Sequence, residues 1–133
     1  MKSALAKLDA QGFLKNGRHE EFFKDGAISI AGDYRGGEKV GEWRYFLKNG
    51  QLKAIGHFIA DKMQGEWKWY RENGELMQTG SFNAGCRCGI WRRYHRNGVI
   101  MDEGGFDGEK KNGEWRTYDA NGKITKTTKH KSA

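Results

Sequence analysis

Gly17, Gly41, Gly65, Gly89 and Gly113 stand 24 residues apart, and the residues that follow each of them repeat the same chemistry without an insertion. Counting each of these glycines as position one, position three is His19, Trp43, Trp67, Trp91 and Trp115, and position six is Phe22, Phe46, Tyr70, Tyr94 and Tyr118. Positions nine and ten are Asp25-Gly26, Asn49-Gly50, Asn73-Gly74, Asn97-Gly98 and Asn121-Gly122. Position sixteen is Gly32, Gly56, Gly80 and Gly104, then Thr128, and position eighteen is Tyr34, Phe58, Phe82 and Phe106, then His130. A fixed period of this length marks a repeat architecture, in which each unit buries its apolar face only against its neighbours.

The unit reads as a β-hairpin. Asn-Gly or Asp-Gly between aromatic and β-branched residues is a strong hairpin cue, because both residues tolerate positive φ. A three-residue loop over positions eight to ten sets six opposite twelve, pairing Tyr70 with Leu76 and Tyr94 with Ile100. A second turn at positions nineteen to twenty-two then leads into the next unit. If it pairs eighteen with twenty-three, the next Trp shares a face with the apolar residues at twelve and eighteen. Trp at three and Tyr at six would then need one face, which a regular strand denies them. This predicts a β-bulge at pairs such as Lys68-Trp69 and Arg92-Arg93; the alternative is a regular strand that splits the aromatics between two faces. An interior-strand Gly at one phase of every unit needs a local reason, and a neighbouring ring laid over bare backbone supplies it.

The expectation is an all-β fold: an elongated single-layer twisted antiparallel sheet of about ten strands, roughly 50 Å long. The units are 17–40, 41–64, 65–88, 89–112 and 113–133, with repeats over 17–124, a basic tail at 125–133, and an N-terminal arm or degenerate partial repeat at 1–16. Residues 1–11 lie outside the period and read as a helix or a loose arm. Mean hydropathy of -0.92 fits a thin layer better than a closed core.

The pattern G-x-W-x-x-Y-x-x-N-G-x-[IL]-x-x-x-G-x-F, over about Gly17 to Ile124, resembles the variant MORN repeat of YwqK-type antitoxin proteins from toxin–antitoxin systems. The resemblance implies an extended array that binds other molecules and does no chemistry. His19, Thr128 and His130 depart from the pattern at its ends, where capping units need polar residues.

Chemistry-bearing clusters are not apparent. His19, His57, His95 and His130 fall at four different phases, and no hydrolase, nucleotide-binding or zinc-protease motif occurs. Cys86 and Cys88 are too close for a structural disulfide and lack a second ligand pair for zinc, so they read as reduced turn residues. No metal, cofactor or catalytic residue is expected. No apolar run reaches signal-peptide or membrane-span length, which gives the expectation of a cytoplasmic protein.

Net charge is +7. Position four is Glu20, Arg44, Lys68, Arg92 and Arg116, but Glu42, Glu66 and Glu114 stand two residues before three of its cations, so the column reads as self-neutralised. Arg92, with Arg93 and Arg96, escapes that pairing. Trp69 is the odd aromatic, since position five is otherwise Glu21, Tyr45, Arg93 and Thr117. Trp69, Arg92, Arg93 and Arg96 are therefore the candidate partner-binding residues. Trp43, Trp67, Trp91 and Trp115, with Phe46, Tyr70, Tyr94 and Tyr118, are the structural aromatics. The expected function is a non-catalytic protein-interaction module, an antitoxin or immunity-type protein with a cognate toxin. The alternative is a scaffold binding acidic lipid headgroups or nucleic acid through basic residues.

Overall fold

The computed structural model describes residues 7–131. Ten strands run in chain order through one antiparallel sheet: β1 (Gly17–Phe22), β2 (Ile28–Arg35), β3 (Glu38–Phe46), β4 (Leu52–Ile59), β5 (Lys62–Tyr70), β6 (Leu76–Asn83), β7 (Cys86–Tyr94), β8 (Ile100–Asp107), β9 (Lys110–Tyr118) and β10 (Ile124–His130). Every strand pairs only with its chain neighbours, as a quasi-one-dimensional array requires.

Both turn types follow from local chemistry. In the Asn-Gly hairpins the Leu47 amide donates to Gln51 O at 2.8 Å and the Gly50 amide donates to Leu47 O at 2.9 Å, closing a three-residue loop. Gly50 sits at φ 87, the left-handed region that glycine enters without strain. Asn49 Oδ1 accepts from the Gln51 amide, and its Nδ2 donates to Glu72 O in the next hairpin, which ties successive loops together. The connecting turns have two residues at positive φ, such as Ala60 and Asp61, the signature of a tight type I′ turn.

The ladder is irregular at two places per repeat. Trp69 opposes Gln78 while Tyr70 opposes Leu76, which leaves Met77 as an extra residue. Tyr45/Phe46 and Arg93/Tyr94 show the same step. The bulge expected at Lys68-Trp69 and Arg92-Arg93 is therefore not present on the Trp-bearing strand, and the alternative of a regular strand with its aromatics on two faces holds; the irregularity lies one residue later, with its extra residue on the partner strand. The Trp-bearing strand keeps its alternation, and positions three and six take opposite faces. The reason is steric economy: the bulge flips position twelve to join position six on the back, while fourteen, sixteen and eighteen stay with Trp on the front.

A second irregularity joins the repeats. Between the pairs Ile55–Lys68 and His57–Gln64, the three residues Gly65, Glu66 and Trp67 oppose the single residue Gly56. Gly65 takes φ 72 there, which accounts for glycine at position one. The bend carries the Trp67 indole across onto Gly56, and its Nε1–H donates to His57 O at 3.1 Å. Trp43, Trp91 and Trp115 repeat this bond to Asp33 O, Ser81 O and Gly105 O.

The core is this ladder of rings. Trp43 is 0% and Trp67 2% exposed. Each Trp meets the preceding Tyr or Phe edge to face, at 5.2 Å for Tyr34–Trp43 and Phe58–Trp67 and 5.1 Å for Phe82–Trp91. That geometry aligns the positive ring edge with the negative face.

At the N-terminal end, Leu8 bridges Leu14, and the Gly37 amide donates to Lys15 O at 2.9 Å. Equivalent bonds run from Asp61 to Lys39 O and from Gly85 to Met63 O, so residues 7–16 continue the turn pattern of the array. The helix-or-arm expectation for residues 1–11 lies mostly outside the described residues. Cys86 and Cys88 are free and lie on β7, at and just past the turn.

Candidate protein-docking face

The two faces of the sheet differ in kind. On the back, position-four cations meet carboxylates: Arg44 with Glu42 at 2.8 Å, Lys68 with Glu66 at 3.8 Å and Arg116 with Glu114 at 2.7 Å. Arg92, expected to lack such a partner, bonds Glu103 at 2.8 Å across the β7–β8 pair. Glu103 also accepts from Tyr118 Oη at 2.7 Å. That hydroxyl first, and then Arg92 and Arg116, hold the Glu103 carboxyl below the usual carboxylate range.

The front carries the Trp ladder flanked by two columns. One holds positions five and fourteen; the other holds eighteen and twenty-three. Position twenty-three is Lys15, Lys39, Met63, Arg87 and Lys111. Its cations lie on the rings of the ladder: Lys15 over Tyr34 at 5.1 Å, Lys39 over Trp43 at 4.9 Å, Arg87 over Phe106 at 4.2 Å and Lys111 over Trp115 at 4.6 Å. Cations placed so cover exposed ring surface and gain attraction from the ring quadrupole.

Near the middle of the array both columns turn apolar. Tyr45, Ala54, Phe58, Met63 and Trp69 surround an open hollow floored by Trp67, with Lys53 the one charged residue among those lining it. Burial first, then Tyr34 and Glu21, push the Tyr45 hydroxyl up to about 12, so it stays neutral at physiological pH. A second hollow adjoins it, lined by Trp91, Phe106 and Trp115 with Arg87, Arg93, Lys111 and Asp102. Trp69 lies between the two, 6.1 Å from Trp67 and 5.6 Å from Trp91, ring centre to ring centre.

The sequence-derived candidates are only partly assembled. Trp69 and Arg93 share the front, both flanking Gln78 through their cross-strand pairs. Arg93 is matched bidentately by Asp102. Arg92 projects from the back, and Arg96, in a hairpin turn, pairs with Glu72 at 3.5 Å. Sequence reasoning missed Tyr45, Met63 and the position-twenty-three cations. The signal lies in the alternation of cation and ring down that column, which spans two units and so does not show within one.

An open single-layer sheet with a ring-lined, cation-flanked face defines a repeat protein of the β-hairpin array class. The model of the MORN repeat variant matches residues 39–60, 63–84, 87–107 and 111–131, and the chain belongs to that family. The first hairpin, β1 with β2, is built as the matched ones are although the model does not reach it. MORN repeats are interaction modules, and no helix among the described residues is long and apolar enough to cross a membrane. Comparison with curated proteins finds no match. Among solved structures the chain is similar to a TarM mutant of S. aureus in complex with Fondaparinux, alpha-GlcNAc-glycerol and UDP, at TM-score 0.46 and 14% identity, over 72% of this chain and 19% of that one. It is also similar to the GtfA/B complex bound to UDP and GlcNAc, at TM-score 0.41 and 14% identity, over 92% of this chain and 28% of that one. The chain spans less than a third of either.

Proposed function

We propose that this chain is a non-catalytic cytoplasmic module that presents the front of its sheet to a protein partner. The observation that supports it is the central hollow, where Tyr45, Met63 and Trp69 leave apolar surface that no second layer covers among the described residues. Contiguous exposed rings beside arginine are the composition of interface centres. Its more specific form, capping of a cognate toxin in an antitoxin role, is supported by the resemblance to YwqK-type antitoxins.

The test is affinity capture with the wild-type chain, Trp69→Ala and the back-face variant Tyr70→Ala, beginning with the product of the adjacent gene. Capture that Trp69→Ala abolishes and Tyr70→Ala preserves supports the docking face; equal capture by all three removes it. Binding of acidic lipid headgroups or nucleic acid through basic residues is the competing reading. Arg92 and Arg93 project from opposite faces, so one flat anionic surface meets only one of them. A steep loss of binding between low and physiological salt would favour that reading.

A further inference from the structure

We infer that the front face is built for an acidic polyproline II segment with one apolar anchor, in the pattern Φ-x-x-Glu-x-x-Glu or its reverse. This rests on the protein-docking reading above and names the chemistry of the partner.

The reasoning starts from the column at position twenty-three. Met63, Arg87 and Lys111 occupy β5, β7 and β9, so successive members stand two strands apart, ~9.6 Å at ordinary strand spacing. Met63 belongs to the apolar hollow; Arg87 and Lys111 belong to the adjoining one. A segment lying along the array therefore meets an apolar site, then a cation, then another cation at equal intervals.

Charge selects an acidic partner. The two hollows are lined by Lys53, Arg87, Arg93 and Lys111 against Asp102, with Glu109 beside them on Arg87, so cations outnumber carboxylates. Arg87 meets Glu109 in an exposed pair that exchanges at little cost, Arg93 stays matched by the mostly buried Asp102, and Lys111 Nζ lies over the Trp115 ring. A carboxylate on the partner therefore meets an excess of positive charge and offsets it.

Spacing selects the conformation. Polyproline II returns a side chain to the same face every three residues, ~9.3 Å along its axis, so two steps depart from the column by about 0.6 Å. An α-helix returns every seven residues, ~10.5 Å, and departs by about 1.8 Å over the same span. A β-strand puts residues three apart on opposite faces. Ring-lined grooves suit the polyproline II helix, which is extended before it binds and loses little entropy.

The experiment titrates the full chain, by tryptophan fluorescence and calorimetry, with the peptide Pro-Leu-Pro-Pro-Glu-Pro-Pro-Glu-Pro and with its reverse. Controls replace both Glu by Lys, or Leu by Ser. At least one orientation of the Glu peptide should bind ten-fold or more tightly than its Lys and Ser controls. Met63→Lys and Lys111→Glu should each weaken it ten-fold or more, with melting curves showing that both variants remain folded. Equal binding of Glu and Lys peptides overturns the inference, as does undiminished binding to folded Met63→Lys. If no peptide binds while a natural protein is still captured in a Trp69-dependent way, this inference fails and the docking reading stands. Loss of that capture specificity as well removes both. Oligo-thymidylate that binds through Met63 and Lys111 where the peptides do not would also overturn it.

Discussion

The indole of Trp67 lies flat on the backbone of Gly56, so closely that a Cβ at residue 56 would stand 2.0 Å from Trp67 Cδ2. Gly32, Gly80 and Gly104 have the same relation to Trp43, Trp91 and Trp115. Substitution at Gly56 therefore meets the middle of a buried ring that is held on both sides. Gly56→Ala should lower stability by at least about 2 kcal/mol, read from urea midpoints. Gly50→Ala, with nothing near its Cβ but φ at 87, should cost only about 1 kcal/mol.

The two neighbouring tryptophans should separate in a melt. Trp67 is nearly fully buried, and Trp67→Ala should cost about 3 to 5 kcal/mol. Trp69 is half-buried but packs on Trp67, Phe82 and Trp91, so Trp69→Ala should cost about 2 kcal/mol. Equal losses would make Trp69 a core residue and leave the docking face without its central ring.

Tyr45 sets an alkaline limit. Its hydroxyl is raised from 10.0 to about 12 in the fold, so its neutral form contributes stability fully below pH 10. That contribution is lost as pH rises from 10 towards 12, where the unfolded chain releases the proton and the folded one resists. Tyr45→Phe should flatten the fall in melting temperature across that window. An unchanged alkaline profile would show that Tyr45 titrates freely.

On the back face the sign is reversed. Glu103, lowered from its ordinary 4.5 chiefly by the Tyr118 hydroxyl, contributes stability above that value and loses it as pH falls through its lower folded pKa. Tyr118→Phe should raise the Glu103 carboxyl pKa, followed by carbon-detected NMR titration. No movement would mean that Arg92 and Arg116 hold the carboxylate without the hydroxyl.

Much of the fold was legible because one period carries it. Hairpin loops, the pairs Tyr70–Leu76 and Phe58–Met63, and rings over bare backbone all follow from residues at fixed phase. The placement of the bulge was not legible, since Met77 differs in no chemical way from a paired strand residue. Tyr70 and Leu76 consequently moved to the back. Candidate site residues were legible one strand at a time: Trp69 and Arg93 meet on the front because each keeps regular alternation. Arg92 does not join them because the same alternation turns it to the back, where its bond to Glu103, eleven residues away on β8, is a contact that only the register reveals.

The central claim is that each Trp is locked onto the glycine of the preceding repeat, and a double-mutant cycle between Gly56 and Trp67 tests it most directly. Gly56→Ala, Trp67→Leu and the combined variant should be compared by urea denaturation. Once the indole is gone, the methyl at residue 56 has room, so the double variant should be more stable than the sum of the single losses by at least about 1 kcal/mol. Additive losses would show that the ring does not rest on Gly56 and would contradict the ladder on which the open face depends.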